Sequence, residues 1–399
     1  MKKVPKQRAL AVAVGLLALI LQTTSLNALD LDSSTENIRQ FYNDSLNNID
    51  LGLRLNLDAN RFDGIYREDG LERYQYDSQL RRARLSIKMP LGKNWSSKLQ
   101  VAINEGDTTY ETKDLYLRYK GFDFADIKIG QSKEPFGLEN LTSSANIVFA
   151  ERGLSTFSLG RSKGINFSDS NKKRSWSIGA YHVDENGNVK TDGDKAYTAR
   201  YTISPVNEDN KYNHFGMAYS TRDLQGSEYE IKTNGGVDSA FNFLDTRNVA
   251  TDTIVKKGAE AAWGRGQLSI QGEYQHLQIN ALVANQSASY QGYYTQVSYF
   301  ITGDHRPYKK GRFSVVKPNS PKGAWELTLR KSTLQSIYLG NANKNNEINV
   351  ETTVLGMNYY ISKSMKFMLN ATDTTSSGIT TNSSLPEGSA LSIRVQLKL

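Results

Sequence analysis

The run LGLRLNLDANRF, residues 51–62, alternates apolar and polar side chains: Leu51, Leu53, Leu55, Leu57 and Ala59 against Gly52, Arg54, Asn56, Asp58 and Asn60. Successive residues of a strand point to opposite faces, so the run reads as a strand with one greasy and one wet side. The same pattern returns as far as the last residues, Leu391, Ile393, Val395, Leu397 and Leu399. Between them it gives strands at 51–62, 79–90, 94–104, 112–119, 125–131, 162–169, 173–183, 194–203, 212–221, 253–263, 266–276, 290–301, 323–334, 349–361, 364–374 and 388–399, sixteen in all.

Strand length and spacing then choose the architecture. Strands of ordinary soluble sheets average about five or six residues, whereas a tilted membrane strand needs about nine to eleven. Many of these reach that length. Connections alternate between short (91–93, 121–124, 170–172, 264–265, 362–363) and long (63–78, 132–161, 222–252, 335–348), as in a barrel with tight turns at one rim and long loops at the other. The expected fold is all-β: a 16-stranded antiparallel transmembrane β-barrel over 51–399, with both chain ends at the short-turn rim. One connection breaks the rule, since 302–322 is long on the short side.

Composition agrees. With 22 Tyr, 31 Gly, 8 Pro and 38% hydrophobic residues, the supply suits strands with one apolar face better than a buried helical core. There is no Cys, which excludes disulfides and thiolate metal sites, and the four His are too dispersed for an imidazole-built metal centre. Lys2, Lys3, Lys6 and Arg8 before the apolar run Ala9–Leu21 mark residues 1–28 as a cleaved signal peptide. Its removal leaves 45 basic residues against 41 acidic, so global charge says little and placement of the cations decides. Residues 29–50 read as a leader containing at most a short helix.

The connection around IKIGQSKEPFGLENLTSSANIVFAERG, residues 127–153, is too long for a hairpin and too apolar for a solvated tail, with Pro135, Phe136, Leu138, Leu141, Ile147, Val148 and Phe149. A loop folded into the barrel fits it. If the apolar parity faces lipid, the other parity lines the lumen with Arg54, Arg82, Arg84, Lys88, Lys98, Asp114, Tyr116, Arg118, Arg394 and Lys398; Asp58, Glu105 and Glu326 lie near that surface too. Arg81 has the wrong parity unless its strand is bulged. Guanidinium forks bind oxyanions bidentately and stay charged, so such a lining suits anion passage. Scattered charges on a general porin wall are the other reading.

Further motifs are bland. Asp184–Asn188 reads as a hairpin tip rather than a calcium loop, and Lys172-Lys173-Arg174 as a charged turn rather than a nucleic-acid patch. No phosphate-loop, zinc-protease or nucleophile-elbow pattern is present, so no enzyme, cofactor or metal is expected.

QLRRARL (79–85), Lys93-Asn94-Trp95, Lys113-Asp114-Leu115-Tyr116, GQSKEPFGLENLTSS (130–144) and Phe149-Ala150-Glu151-Arg152 follow one another in an order that resembles the phosphate-selective porin O and P family. RPY (306–308), VKP (316–318) and GAWEL (323–327) extend the likeness. The resemblance implies a trimer of sixteen-stranded barrels in the outer membrane of a Gram-negative bacterium, among phospholipid and lipopolysaccharide. It also implies an inward-folded constriction loop after GQSKEPFGLE and arginines that bind phosphate-like anions. Position by position, Arg54, Arg81 and Arg82 match the constriction arginines and Asp114 an acidic partner. Arg84, Lys98, Arg118 and Lys133 complete the expected anion-binding set. Two positions depart from the pattern: Arg84 stands where an aromatic is expected, and Ala145 where a pore lysine is. Segment 302–322, with Arg306, Lys309, Lys310 and Lys322, is expected to form a cationic exit at the periplasmic mouth.

Overall fold

A computed structural model of the chain describes residues 48–399 apart from 70, 104–108, 183–193, 247–248, 341–346 and 378–384. The expected signal peptide, nearly all of the leader, Glu105 and the Asp184–Asn188 turn lie outside the described residues. Sixteen long strands form one ring: β1 (Asp50–Phe62), β2 (Gln75–Pro90), β3 (Trp95–Ile103), β4 (Tyr110–Tyr119), β5 (Asp126–Lys133), β6 (Arg161–Ser170), β7 (Arg174–His182) and β8 (Lys195–Ile203). The second half comprises β9 (Lys211–Asp223), β10 (Val249–Arg265), β11 (Leu268–Ala281), β12 (Ala288–Phe300), β13 (Ala324–Leu339), β14 (Asn349–Tyr360), β15 (Met365–Ser377) and β16 (Glu387–Lys398). Each pairs antiparallel with the next, and β16 pairs back onto β1, Leu55 opposite Leu397. Leu399 completes this seam by exchanging backbone hydrogen bonds with Leu53, at 2.9 and 3.2 Å. A closed ladder satisfies every strand's backbone internally, which hydrocarbon demands.

Burial follows the alternation, inverted relative to a water-soluble protein. Leu57, Leu85, Leu117, Met217, Leu329 and Leu355 are exposed, while Asn56, Arg82, Asp114, Gln271, Glu326 and Arg394 are buried. Apolar side chains therefore face lipid and polar ones the lumen. Several strands run past the apolar pattern. β2 starts at Gln75 and β10 at Val249, four residues before the alternation becomes legible in each case, because neither 75–78 nor 249–252 alternates apolar with polar.

The wrong parity of Arg81 has a local cause. Asn56 pairs with Arg82 but Asp58 with Gln79, so β2 carries one extra residue opposite β1. That bulge lets Arg81 join Arg82 on the lumen side, where both reach Glu151.

Segment 302–322 has a structure of its own. It contains a small hairpin, Tyr308–Lys309 paired with Arg312–Phe313, turned through Lys310 and Gly311, both with positive φ. Two left-handed residues are what a tight hairpin turn needs. The hairpin packs against the inner wall near the chain-end rim, beside Ser204 and Tyr212. Tyr308 stacks on Tyr212 of β9 at 5.0 Å between ring centroids and shares hydrogen bonds with Ser204 and His214, and Arg200 of β8 donates to the Gly311 carbonyl at 2.8 Å.

Candidate functional site

The segment between β5 and β6, residues 134–160, is held to lumen-side residues of strands around the ring. At its start, buried Glu134 accepts from Ser162 (2.6 Å), Thr198 (2.7 Å) and Arg222 (2.7 Å). A single helical turn, α1 (Leu138–Leu141), follows Gly137, whose φ of 76° suits glycine. Glu273 of β11 accepts the Leu138 and Glu139 N–H groups at 2.9 and 2.7 Å. Those are donors a helix start leaves unpaired. Farther on, Gln396, Lys366 and Asn358 donate to the carbonyls of Ala145, Ile147 and Val148, and Asn370 accepts from the Ala150 N–H.

Space for the apolar residues of this segment comes from lumen-side glycines. A Cβ at Gly258 would lie 3.2 Å from the Phe136 ring, one at Gly356 3.1 Å from Phe149, and one at Gly292 2.4 Å from Phe157. The apolar load noticed in the sequence is thus packed on bare stretches of wall. Phe313 of the hairpin donates its N–H toward Thr142 Oγ1 at 3.4 Å, so the two segments touch.

Charges sort into two groups. In the first, Glu151 accepts from Arg81 (3.0 Å), Arg82 (2.9 Å) and Arg394 (2.8 Å); Arg81 also pairs with Asp238 at 2.8 Å, and Arg394 with Asp58. Burial alone would raise the Glu151 carboxyl, but Arg82, Arg394 and Arg81 outweigh it and hold that group well below the usual carboxylate range. For Asp238 burial comes first and Glu151 adds to it, so its carboxyl is pushed up despite Arg81. Two of the expected constriction arginines, Arg81 and Arg82, are therefore occupied by carboxylates.

The second group lines a cavity of about 650 Å³. From the wall come Arg54, Arg84, Lys88, Lys98, Lys128, Lys133, Arg161 and Lys398, and from the hairpin Lys309, Lys310 and Arg312. Asp114 is the one carboxylate of the lining, held between Lys98 and Arg161, whose Nε donates to it at 2.6 Å. Arg54 donates to Ser144 (2.8 Å) and Ser143 (3.0 Å), and Lys133 to the Asn140 carbonyl. Arg84 forms no ion pair among the described residues, and its Nε has no partner. In the ladders Arg54 stands opposite Arg84 on one side and Lys398 on the other. Burial lowers the Arg312 guanidinium's affinity for its proton, though not enough to neutralise a group that starts so basic.

The expected set is thus divided. The structure gathers Arg54, Arg84, Lys98, Asp114 and Lys133 around one cavity and adds Arg161, Lys128 and Arg312, which alternation did not single out. Arg118 pairs with Asp126 outside that lining. Of the expected exit, Lys309 and Lys310 line the cavity and Lys322 is exposed at the rim. Arg306 is buried, donates to Gln271 and lies 3.5 Å over the Phe313 ring, contacts that brace the hairpin. Glu326 is buried among Ser298, Asn358 and Tyr360, away from the cavity lining.

A family model described as phosphate-selective porin O and P matches residues 49–399. The chain belongs to that family. It is an outer-membrane porin of a Gram-negative bacterium and not an enzyme. Porin O of Pseudomonas aeruginosa is 27% identical over 390 residues, covering 87% of this chain and 87% of that protein. Among solved structures, an anion-selective porin from Comamonas acidovorans superposes with a TM-score of 0.57 at 12% identity, over 88% of this chain and 99% of that one. The trimer form of OmpT from Vibrio cholerae gives 0.52 at 10% identity, over 88% and 99%. These two likenesses establish the fold alone.

Proposed function

We propose that this porin passes small anions down their gradient, with a preference for phosphate or related oxyanions. The constriction is formed by residues 134–160 and the 308–313 hairpin, and lined by Arg54, Arg84, Lys133 and Arg161. The observation that carries this reading is the charge balance of the cavity, eleven cations to a single carboxylate. An imbalance of that size in a wet, walled space concentrates anions and repels cations. Arg84 and Arg54 offer guanidinium forks suited to tetrahedral oxyanions. Many neighbouring cations let an ion pass from one to the next, so no single site holds it. Asp114 weakens the attraction locally, which helps release. In this reading Arg81 and Arg82 hold the loop through Glu151, while Arg84 supplies the free charge. The family and the trimeric neighbour support a homotrimer.

Reversal potentials in a salt gradient, followed by phosphate titration of the chloride current, test the proposal. Anion-selective potentials with block by millimolar phosphate are expected. A general or sugar-taking porin is the second reading, favoured by Tyr116 and Phe313 in the same lining. Current insensitive to phosphate but reduced by an oligosaccharide would establish it instead.

A further inference from the structure

A second basic surface faces away from the lumen. Lys163 of β6, His182 of β7, Lys195 of β8 and Lys257 of β10 are exposed and have lipid-side parity. Counted from the chain-end rim, each is the eighth or ninth residue of its strand. Crossing the bilayer takes about nine to eleven tilted residues, which puts these side chains at the outer edge of the apolar band. Below them the lipid-side residues within the band are uncharged: Ile165 and Phe167, Trp176 and Ile178, Tyr197 and Tyr201, Ala259 and Trp263.

Lys163, His182 and Lys195 are also in register on adjacent strands, so the three span roughly 10 Å. Neither Lys163, Lys195 nor Lys257 has an ion-pair partner among the described residues. Asp223 stands in register with Lys195 without pairing to it. Lys331 of β13, at a similar level, shows the contrasting arrangement, paired with Glu351 at 2.8 Å.

We propose that this arc is a docking site for the phosphate-bearing headgroup of an outer-leaflet glycolipid, the lipid A portion of lipopolysaccharide. Lysines at the membrane edge extend their ammonium groups to the headgroup level while their stems stay on the apolar wall. Three groups within one row match phosphates carried on a sugar, and the greasy wall beneath receives acyl chains. Free phosphate shares the charge but gains nothing from that wall. The inference is independent of the pore reading, because every residue involved points outward.

Native mass spectrometry of the full detergent-extracted protein tests it, with diphosphorylated lipid A and dephosphorylated lipid A as probes. At least tenfold tighter binding of the phosphorylated form is expected. K163Q/K195Q/K257Q should lose that difference, K163R/K195R/K257R should keep it, and anion-to-cation permeability ratios should not change in either. Equal binding of the two lipids, full retention by the glutamine variant, or displacement of lipid A by millimolar inorganic phosphate would each overturn the site. If the glutamine variant fails to assemble, the two-lipid comparison on the wild-type protein decides alone.

Discussion

Arg82 Nη2 lies 2.9 Å from Oε2 of Glu151, so a guanidinium that alternation aims at the lumen already holds a carboxylate of the loop beside it. In the proposed reading, charge selectivity falls to Arg84 and loop anchoring to Arg82, two positions apart in sequence. Arg84→Gln and Arg161→Gln are expected to reduce the anion-to-cation permeability ratio, each by roughly fivefold, as loss of one cation at close range is worth about 1 kcal/mol. Arg82→Gln should alter the ratio less than Arg84→Gln. Reversal potentials of the single variants check this ordering.

Glu151→Gln leaves Arg81, Arg82 and Arg394 short of their shared counter-charge. Breaking a buried pair by removing one partner costs about 3–5 kcal/mol. The expected outcome is a released loop, seen as a larger, noisier single-channel conductance and a lower temperature of heat-induced mobility shift. Unaltered conductance and stability would show that the loop is held elsewhere.

Acid resistance follows from the same carboxylate. Burial pushes the Glu151 carboxyl up, but the three guanidiniums pull it well below its unfolded value. Its stabilising contribution is therefore complete above the unfolded pKa of about 4.3. The contribution disappears only as pH falls through the lower folded value. Conductance level should stay constant from pH 7 to about 4, with loop release confined to stronger acid. Opening between pH 5 and 7 would contradict the anchoring role.

Gly292→Val places a Cβ 2.4 Å from the Phe157 ring, whereas Gly160 has nothing near its Cβ position. Overpacking of this kind costs about 1–3 kcal/mol. Thermal unfolding should show Gly292→Val destabilised and Gly160→Ala within experimental error of the parent.

The barrel was legible because lipid outside and water inside impose a period of two on every crossing, and all sixteen strands carry it. Even the irregular places left a trace. Arg81 broke parity where β2 is bulged, and 302–322 broke the short-turn rule where a hairpin packs onto the inner wall. The site was less legible. Glu151 takes partners 69, 70 and 243 residues away, and no local pattern announces which cations it neutralises. Lys128 could have been found, since it lies on the lumen side between Ile127 and Ile129. Arg161 could not, because at the start of β6 it shares the parity of the exposed Lys163 and Ile165 yet pairs with Asp114. Arg306 looked like one more cation of a basic segment, and only the ring of Phe313 beneath it reveals a brace.

The seam that closes the ring has a consequence for assembly. Arg54 must come opposite Lys398 when β16 meets β1, with Arg84 already on its other side. Like charges directly opposite disfavour a strand pair. The cluster of Arg54, Arg84 and Lys398 thus opposes closure at this level, although Asp58 and Arg394 attract each other across the same seam, and a multivalent anion lodged beside Arg54 would act as a template. Refolding into detergent micelles should accelerate with added polyphosphate in the parent protein and lose that acceleration in Arg54→Gln. The residues proposed to favour anions would then also govern how quickly the channel comes into being.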